Sequence, residues 1–133
     1  MNMKLLLMIT AVFEGMVGFA LFVLPGLTTS TFLNITLDVP IAAFLARLAG
    51  GAILSLAICC WKARNFNNEG ASVAIVTAMF FYNFAAAAVL VYGGMRLGIQ
   101  SPLIWPTIVL HAGLGIWCAT LIWFAMRSHP RQA

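Results

Sequence analysis

Residues 71–92 read ASVAIVTAMFFYNFAAAAVLVY, an apolar run with no Asp, Glu, Lys or Arg anywhere in it. An α-helix rises about 1.5 Å per residue, so this run alone reaches across a hydrocarbon core about 30 Å thick. Three further runs have the same character, at about 5–24, 41–61 and 102–126. The first stops at Pro25-Gly26, the second starts after Pro40, and the third in order, 71–92, stops at Gly93-Gly94. Pro102 and Pro106 fall in the first turns of the last, where a missing backbone donor costs little. Backbone groups in lipid must be satisfied within the segment, which favours helices, and the period-two alternation of a membrane barrel is absent from these runs. The predicted fold is all-α: a polytopic membrane protein, one domain over 1–133, built as a four-transmembrane-helix bundle.

Composition agrees. Hydrophobic residues make up 63% of the 133 and charged ones 8%, against about 25% charged in a soluble domain. That excludes a soluble enzyme, a disordered linker, a disulfide scaffold and a nucleic-acid binder. The three cysteines, Cys59, Cys60 and Cys118, are odd in number and form no C-x-x-C. They read as small buried hydrophobes and not as a metal site or a redox pair. The first run carries Lys4 and could pass for a signal peptide, but Glu14 lies inside it and it is too long for a signal's apolar region. It is expected to be a retained helix.

The basic residues orient the bundle. Lys4, Lys62, Arg64, Arg127 and Arg131 fall on one side, and Arg96 on the other. By the positive-inside rule both termini and the second connection are cytoplasmic. Trp61, Trp105 and Trp123 lie near span ends, as interfacial anchors do. The longest outer connection, Pro25 to Pro40, contains an alternation of Leu33, Ile35, Leu37 and Val39 against Asn34, Thr36 and Asp38, which predicts an extended piece lying apolar side down on the mouth of the bundle.

Each span carries one conspicuous polar side chain: Glu14, Arg47, Asn83 and His111. A charge at membrane depth costs about 2.5–3.5 kcal/mol on insertion scales, so these residues are informative. Counted from the outer ends, all four fall roughly 10–17 Å deep. Small or polar residues recur four positions away: Thr10, Glu14 and Gly18; Ala43, Arg47, Gly51 and Ser55; Asn83 and Ala87; Thr107, His111 and Gly115. Residues four apart share a helix face, and small, polar faces let membrane helices approach. The expected assembly turns all four stripes inward around a Glu14–Arg47 ion pair, supported by Asn83, His111 and the neighbouring Tyr82. This layer is a ligand-binding or structural site with no catalytic residue and no metal set. One histidine cannot make a bis-His haem site, and no carboxylate cluster accompanies it. The two halves also read as similar hairpins, with Glu14 matching Asn83 and Arg47 matching His111.

The runs Arg47-Leu48-Ala49-Gly50-Gly51-Ala52, Cys60-Trp61-Lys62-Ala63-Arg64, Tyr82-Asn83 and Trp105-Pro106 followed by Leu110-His111-Ala112 resemble a group of small bacterial four-helix membrane proteins similar in plan to the DoxX-like superfamily. The resemblance implies a compact bundle in the bacterial inner membrane. Some DoxX-type proteins are small subunits of membrane oxidoreductases, so it also implies an accessory, non-enzymatic role beside other membrane subunits. Small multidrug-resistance transporters share the four helices and the first-span glutamate. There the glutamate must be free to exchange protons, whereas here Arg47 is expected to occupy it. Two other functions follow from the same residues: a small-solute carrier or channel using the polar layer, and a quinone- or pigment-binding subunit with His111 as ligand and room left by Gly115 beside Trp117. The expected partners are the lipid bilayer and other membrane subunits or further copies of the chain, with no nucleic acid.

Overall fold

The computed structural model describes residues 2–128, which form α1 (Met3–Val23), α2 (Pro25–Leu33), α3 (Pro40–Ala63), α4 (Glu69–Arg96) and α5 (Ile104–Ser128). All except α2 are long and apolar enough to cross a membrane. The chain is therefore an all-α multi-pass membrane protein whose outer faces meet lipid. Its large exposed side chains suit that surrounding. Phe19, Phe44, Phe81, Val89 and Ile116 all point outward, an arrangement that water would penalise and hydrocarbon does not.

Local chemistry sets the helix ends. The side chains of Asn2 and Asn68 accept hydrogen bonds from the backbone N–H groups of Leu5 and Ala71, both at 3.2 Å, and so cap α1 and α4. Pro25 and Pro40 open α2 and α3, where a proline's missing N–H would have been unpaired anyway. Two of the expected boundaries shift. α4 runs through Gly93-Gly94 to Arg96, because backbone in lipid has no water to turn to and keeps its helical bonds. The Gly93 carbonyl then accepts from both Leu97 and Ile99 N–H, which closes the helix. Pro102 lies before α5, in a turn where the Ser101 hydroxyl accepts from Leu103 N–H, and Pro106 stands in the first helical turn.

The connection between the first two spans differs from its predicted form over its first half. Residues 25–33 make the short helix α2. The hydroxyls of Thr28, Thr29 and Ser30 each donate to a carbonyl three or four residues back, so the Thr-Thr-Ser run that reads as loop serves inside a helical turn. Asn34 ends α2 in the left-handed region, at φ 55°, a conformation asparagine tolerates better than most residues. Its side-chain amide donates to the Gln100 carbonyl at 3.3 Å and ties this connection to the one between α4 and α5. Beyond it the alternation shows directly: Leu33, Ile35 and Leu37 are half-buried and Asn34, Thr36 and Asp38 exposed, while Val39 breaks the pattern by facing out. This segment has no strand partner among the described residues.

The four spans pack as two antiparallel pairs, α1 with α3 and α4 with α5. In the first pair the backbones nearly touch. A methyl group added at Gly50 would lie 2.5 Å from the Phe22 nitrogen, and one at Gly18 would lie 2.7 Å from the Leu54 nitrogen. Only residues without a side chain fit there. In the second pair the Phe84 ring covers Gly115. The pairs meet across an apolar core that includes Leu6 and Leu7 of α1, Cys60 of α3, Val76 and Met79 of α4 and Cys118 of α5. Lys4, Lys62, Arg64 and Arg127 gather at one end of this up-and-down bundle, and Arg96 stands at the other. Arg131 lies outside the described residues.

Candidate functional site

Beyond the apolar core, the interface between the helix pairs turns polar. Glu14 of α1 is 5% exposed, Asn83 of α4 0%, and His111 of α5 9%. The Tyr82 hydroxyl donates to Glu14 Oε2 at 2.7 Å, a short contact that links the two helix pairs. Asn83 donates from Nδ2 to the Met79 carbonyl at 2.8 Å, which leaves its Oδ1 turned to His111 Nδ1 at 2.9 Å. That oxygen only accepts, so Nδ1 carries the imidazole proton and Nε2 is the site left to gain or lose one. His111 Nδ1 lies 3.9 Å from Glu14 Oε1, and the Tyr82 and His111 rings meet edge to face with centroids 5.8 Å apart. A carboxyl, a phenol, an amide and an imidazole from three helices thus form one connected group.

The inward stripes of α1 and α4 are borne out, and that of α5 at two of its three positions. Thr10, Glu14 and Gly18 are buried, as are Asn83 and Ala87, and so are His111 and Gly115, while Thr107 is only half-buried. The stripe of α3 is not. Arg47 and Ser55 are exposed and Gly51 is half-buried, while Gly50, Ala57, Cys60 and Ala63 form the buried face. The expected Glu14–Arg47 ion pair is therefore overturned: Arg47 faces outward, and among the described residues it pairs with nothing. The cause is the close approach of α1 and α3. Ala49-Gly50-Gly51 offers two adjacent glycines, and only one can sit at the crossing. The packing uses Gly50 against Gly18 and Phe22, one residue and about 100° around the helix from Gly51, and this carries Arg47 to the flank. It also ends the proposed match between Arg47 and His111 as equivalent positions of a repeat. The hairpin plan of the two halves stands, but their polar residues point differently.

One further correction concerns ligand space. The room expected beside Gly115 is filled by the Phe84 ring, whose nearest atom would be 2.9 Å from an added methyl group. Thr10, a member of the α1 stripe, is 1% exposed with a hydroxyl that has no partner among the described residues. It lies one turn from Glu14 on the same face. The signal for it was its spacing of four from Glu14.

No family model, curated protein or solved structure matches this chain.

Proposed function

We propose that the chain is a small non-catalytic subunit of a larger membrane assembly, with its basic end in the cytoplasm and Arg47 marking the face that meets the rest of the complex. One observation carries this reading: Arg47 is exposed on α3 with no partner in its own chain, about 10 Å along the helix from Pro40. A lone cation at that depth is costly in lipid, and an acidic or carbonyl-rich neighbour removes the cost. The burial of the spans supports it, since a smaller share of α3 is buried than of α1, α4 or α5. α3 is the span with most surface left for another protein. The DoxX-like resemblance suggests an oxidoreductase-type complex as the partner.

The test is purification from native membrane in mild detergent, with wild type and Arg47→Leu compared. The expected result is a larger complex that the variant loses while keeping its helicity. Retention of the same complex by Arg47→Leu refutes the role given to this face, because an arginine that merely reaches up to lipid phosphates can be removed without losing a protein partner.

A second reading rests on the central group: a carrier or channel in which Glu14 and His111 handle a proton or a small polar solute. The glutamate has no lysine or arginine beside it among the described residues, so the objection that a neighbouring cation holds it permanently occupied falls. Flux measured in reconstituted vesicles decides here. Glu14→Gln should abolish flux and Arg47→Leu should spare it, and equal flux in wild type and Glu14→Gln removes this reading.

A further inference from the structure

A cavity of about 650 Å³ opens at the basic end of the bundle, between the first turn of α1, the end of α3 and the first turn of α4. Lys4 and Arg64 line it, and no Asp or Glu stands among its described lining residues. α1 and α4 both begin at this cavity, so the positive ends of two helices face the same region. The opposing negative end of α3 is partly satisfied: the Ala63 carbonyl accepts from Phe66 N–H at 3.1 Å and from the Ser72 hydroxyl at 3.5 Å. Arg64 is held in place by stacking on Trp61, with its guanidinium carbon 3.2 Å from the ring centroid. Its Nη1 is buried and has no acceptor among the described residues. Met3, Leu7 and Phe66 supply an apolar wall.

Fixed positive charge, an unmet guanidinium donor and an apolar side describe a receptor for an amphipathic anion. The place is the membrane interface, since Trp61 sits in the last turn of a span. We propose that this cavity binds the phosphate of an anionic phospholipid, with Lys4 and Arg64 on the headgroup and Met3, Leu7 and Phe66 against the start of the acyl chains. Basic pockets between membrane helices take lipid headgroups in this manner. The oxygen of the phosphate supplies the acceptor that Arg64 lacks, and a second basic side chain makes the site selective for net negative charge over a zwitterion.

Native mass spectrometry of the full chain, titrated with phosphatidylglycerol, phosphatidylcholine or inorganic phosphate, tests the proposal. One phosphatidylglycerol should bind saturably, and Lys4→Gln and Arg64→Gln should each weaken it by roughly fivefold. Lys62→Gln and Arg127→Gln remove charge from the same end without touching the cavity, and they should leave binding unchanged. Arg64→Lys keeps the charge but loses the stacked fork, and it provides a variant with less risk to folding. Phosphatidylcholine binding as tightly as phosphatidylglycerol, or Lys62→Gln weakening binding as much as Lys4→Gln, overturns the site. Inorganic phosphate displacing the lipid at equal concentration overturns the lipid assignment in favour of a soluble anion.

Discussion

Glu14 has two candidate partners, and a pair of double-mutant cycles separates them. The Tyr82 hydroxyl donates to Glu14 Oε2 at 2.7 Å, whereas Arg47 lies exposed on another face. Tyr82→Phe removes the donor and little else. A hydrogen bond to a charged acceptor contributes about 1.5–3 kcal/mol in water-soluble proteins, but interhelical bonds in bilayers average nearer 0.6 kcal/mol, with a maximum near 1.7. This bond is short, mostly buried and joins the two helix pairs, so the upper part of the membrane range applies, about 1–1.7 kcal/mol. Glu14→Leu should cost more than Tyr82→Phe, since the carboxyl also faces His111 at 3.9 Å. The coupling in the Glu14→Leu/Tyr82→Phe cycle should be about 1 kcal/mol or more, and that in the Glu14→Leu/Arg47→Leu cycle near zero. The assay is reversible unfolding of the purified protein in mixed micelles with rising denaturing detergent, followed by tryptophan fluorescence. Coupling between Glu14 and Arg47 of the size expected for Tyr82, or strict additivity of Glu14 and Tyr82, refutes the arrangement.

Two other variants probe the packing and the imidazole. Gly50→Val places a branched side chain where even a methyl group would lie 2.5 Å from backbone, and overpacking of this kind costs about 1–3 kcal/mol. The same unfolding assay should show that loss, with Gly51→Val costing much less, because the nearest atom to an added methyl there is a Phe22 ring carbon at 3.7 Å. Equal losses would mean that α1 and α3 do not cross at Gly50. Asn83→Leu takes the acceptor from His111 Nδ1 and should both destabilise by about 1–3 kcal/mol and release the tautomer. Nitrogen NMR of labelled histidine reads this directly, and an unchanged Nδ1-protonated imidazole in the variant would show that Asn83 does not set it.

The spans were legible because the bilayer imposes a length and a hydropathy that no other environment asks for. Their boundaries were read within a few residues, except where glycine and proline were given the meaning they have in water. Gly93-Gly94 does not break α4, since helical bonds in lipid have no competitor. Pro25-Gly26 does break α1, yet the chain resumes at once as α2. Of the candidate site, Glu14, Tyr82, Asn83 and His111 were found from polarity and shared depth, and the structure brings them together. Arg47 was misplaced for a specific reason. A spacing of four residues identifies a helix face but does not say which of two adjacent small faces a neighbour will take, and the choice between Gly50 and Gly51 depends on Phe22 and Gly18 of another helix. That information is tertiary, and no pattern within 41–61 contains it.

The displacement of Arg47 alters the physical character of the remaining group. With an arginine inside, Glu14 would be half of a closed ion pair, and such a pair resists exchange because separating its members exposes an uncompensated charge. Without it, the carboxyl is held by a neutral phenol and faces an imidazole whose Nδ1 proton is committed to Asn83. Each of the three hydrogen bonds in the group can then survive a change of protonation at Glu14 or at His111 Nε2, as none of them requires a proton at either place. A group built in this way can fasten two helix pairs together and still take part in proton exchange. The two roles part at one variant. Glu14→Gln retains an oxygen to accept from Tyr82 but cannot exchange a proton. It should therefore stay within about 1 kcal/mol of wild type in stability, and any transport or proton-linked function of the assembly should be lost with it. A Glu14→Gln protein that is fully active makes the group a fastening alone.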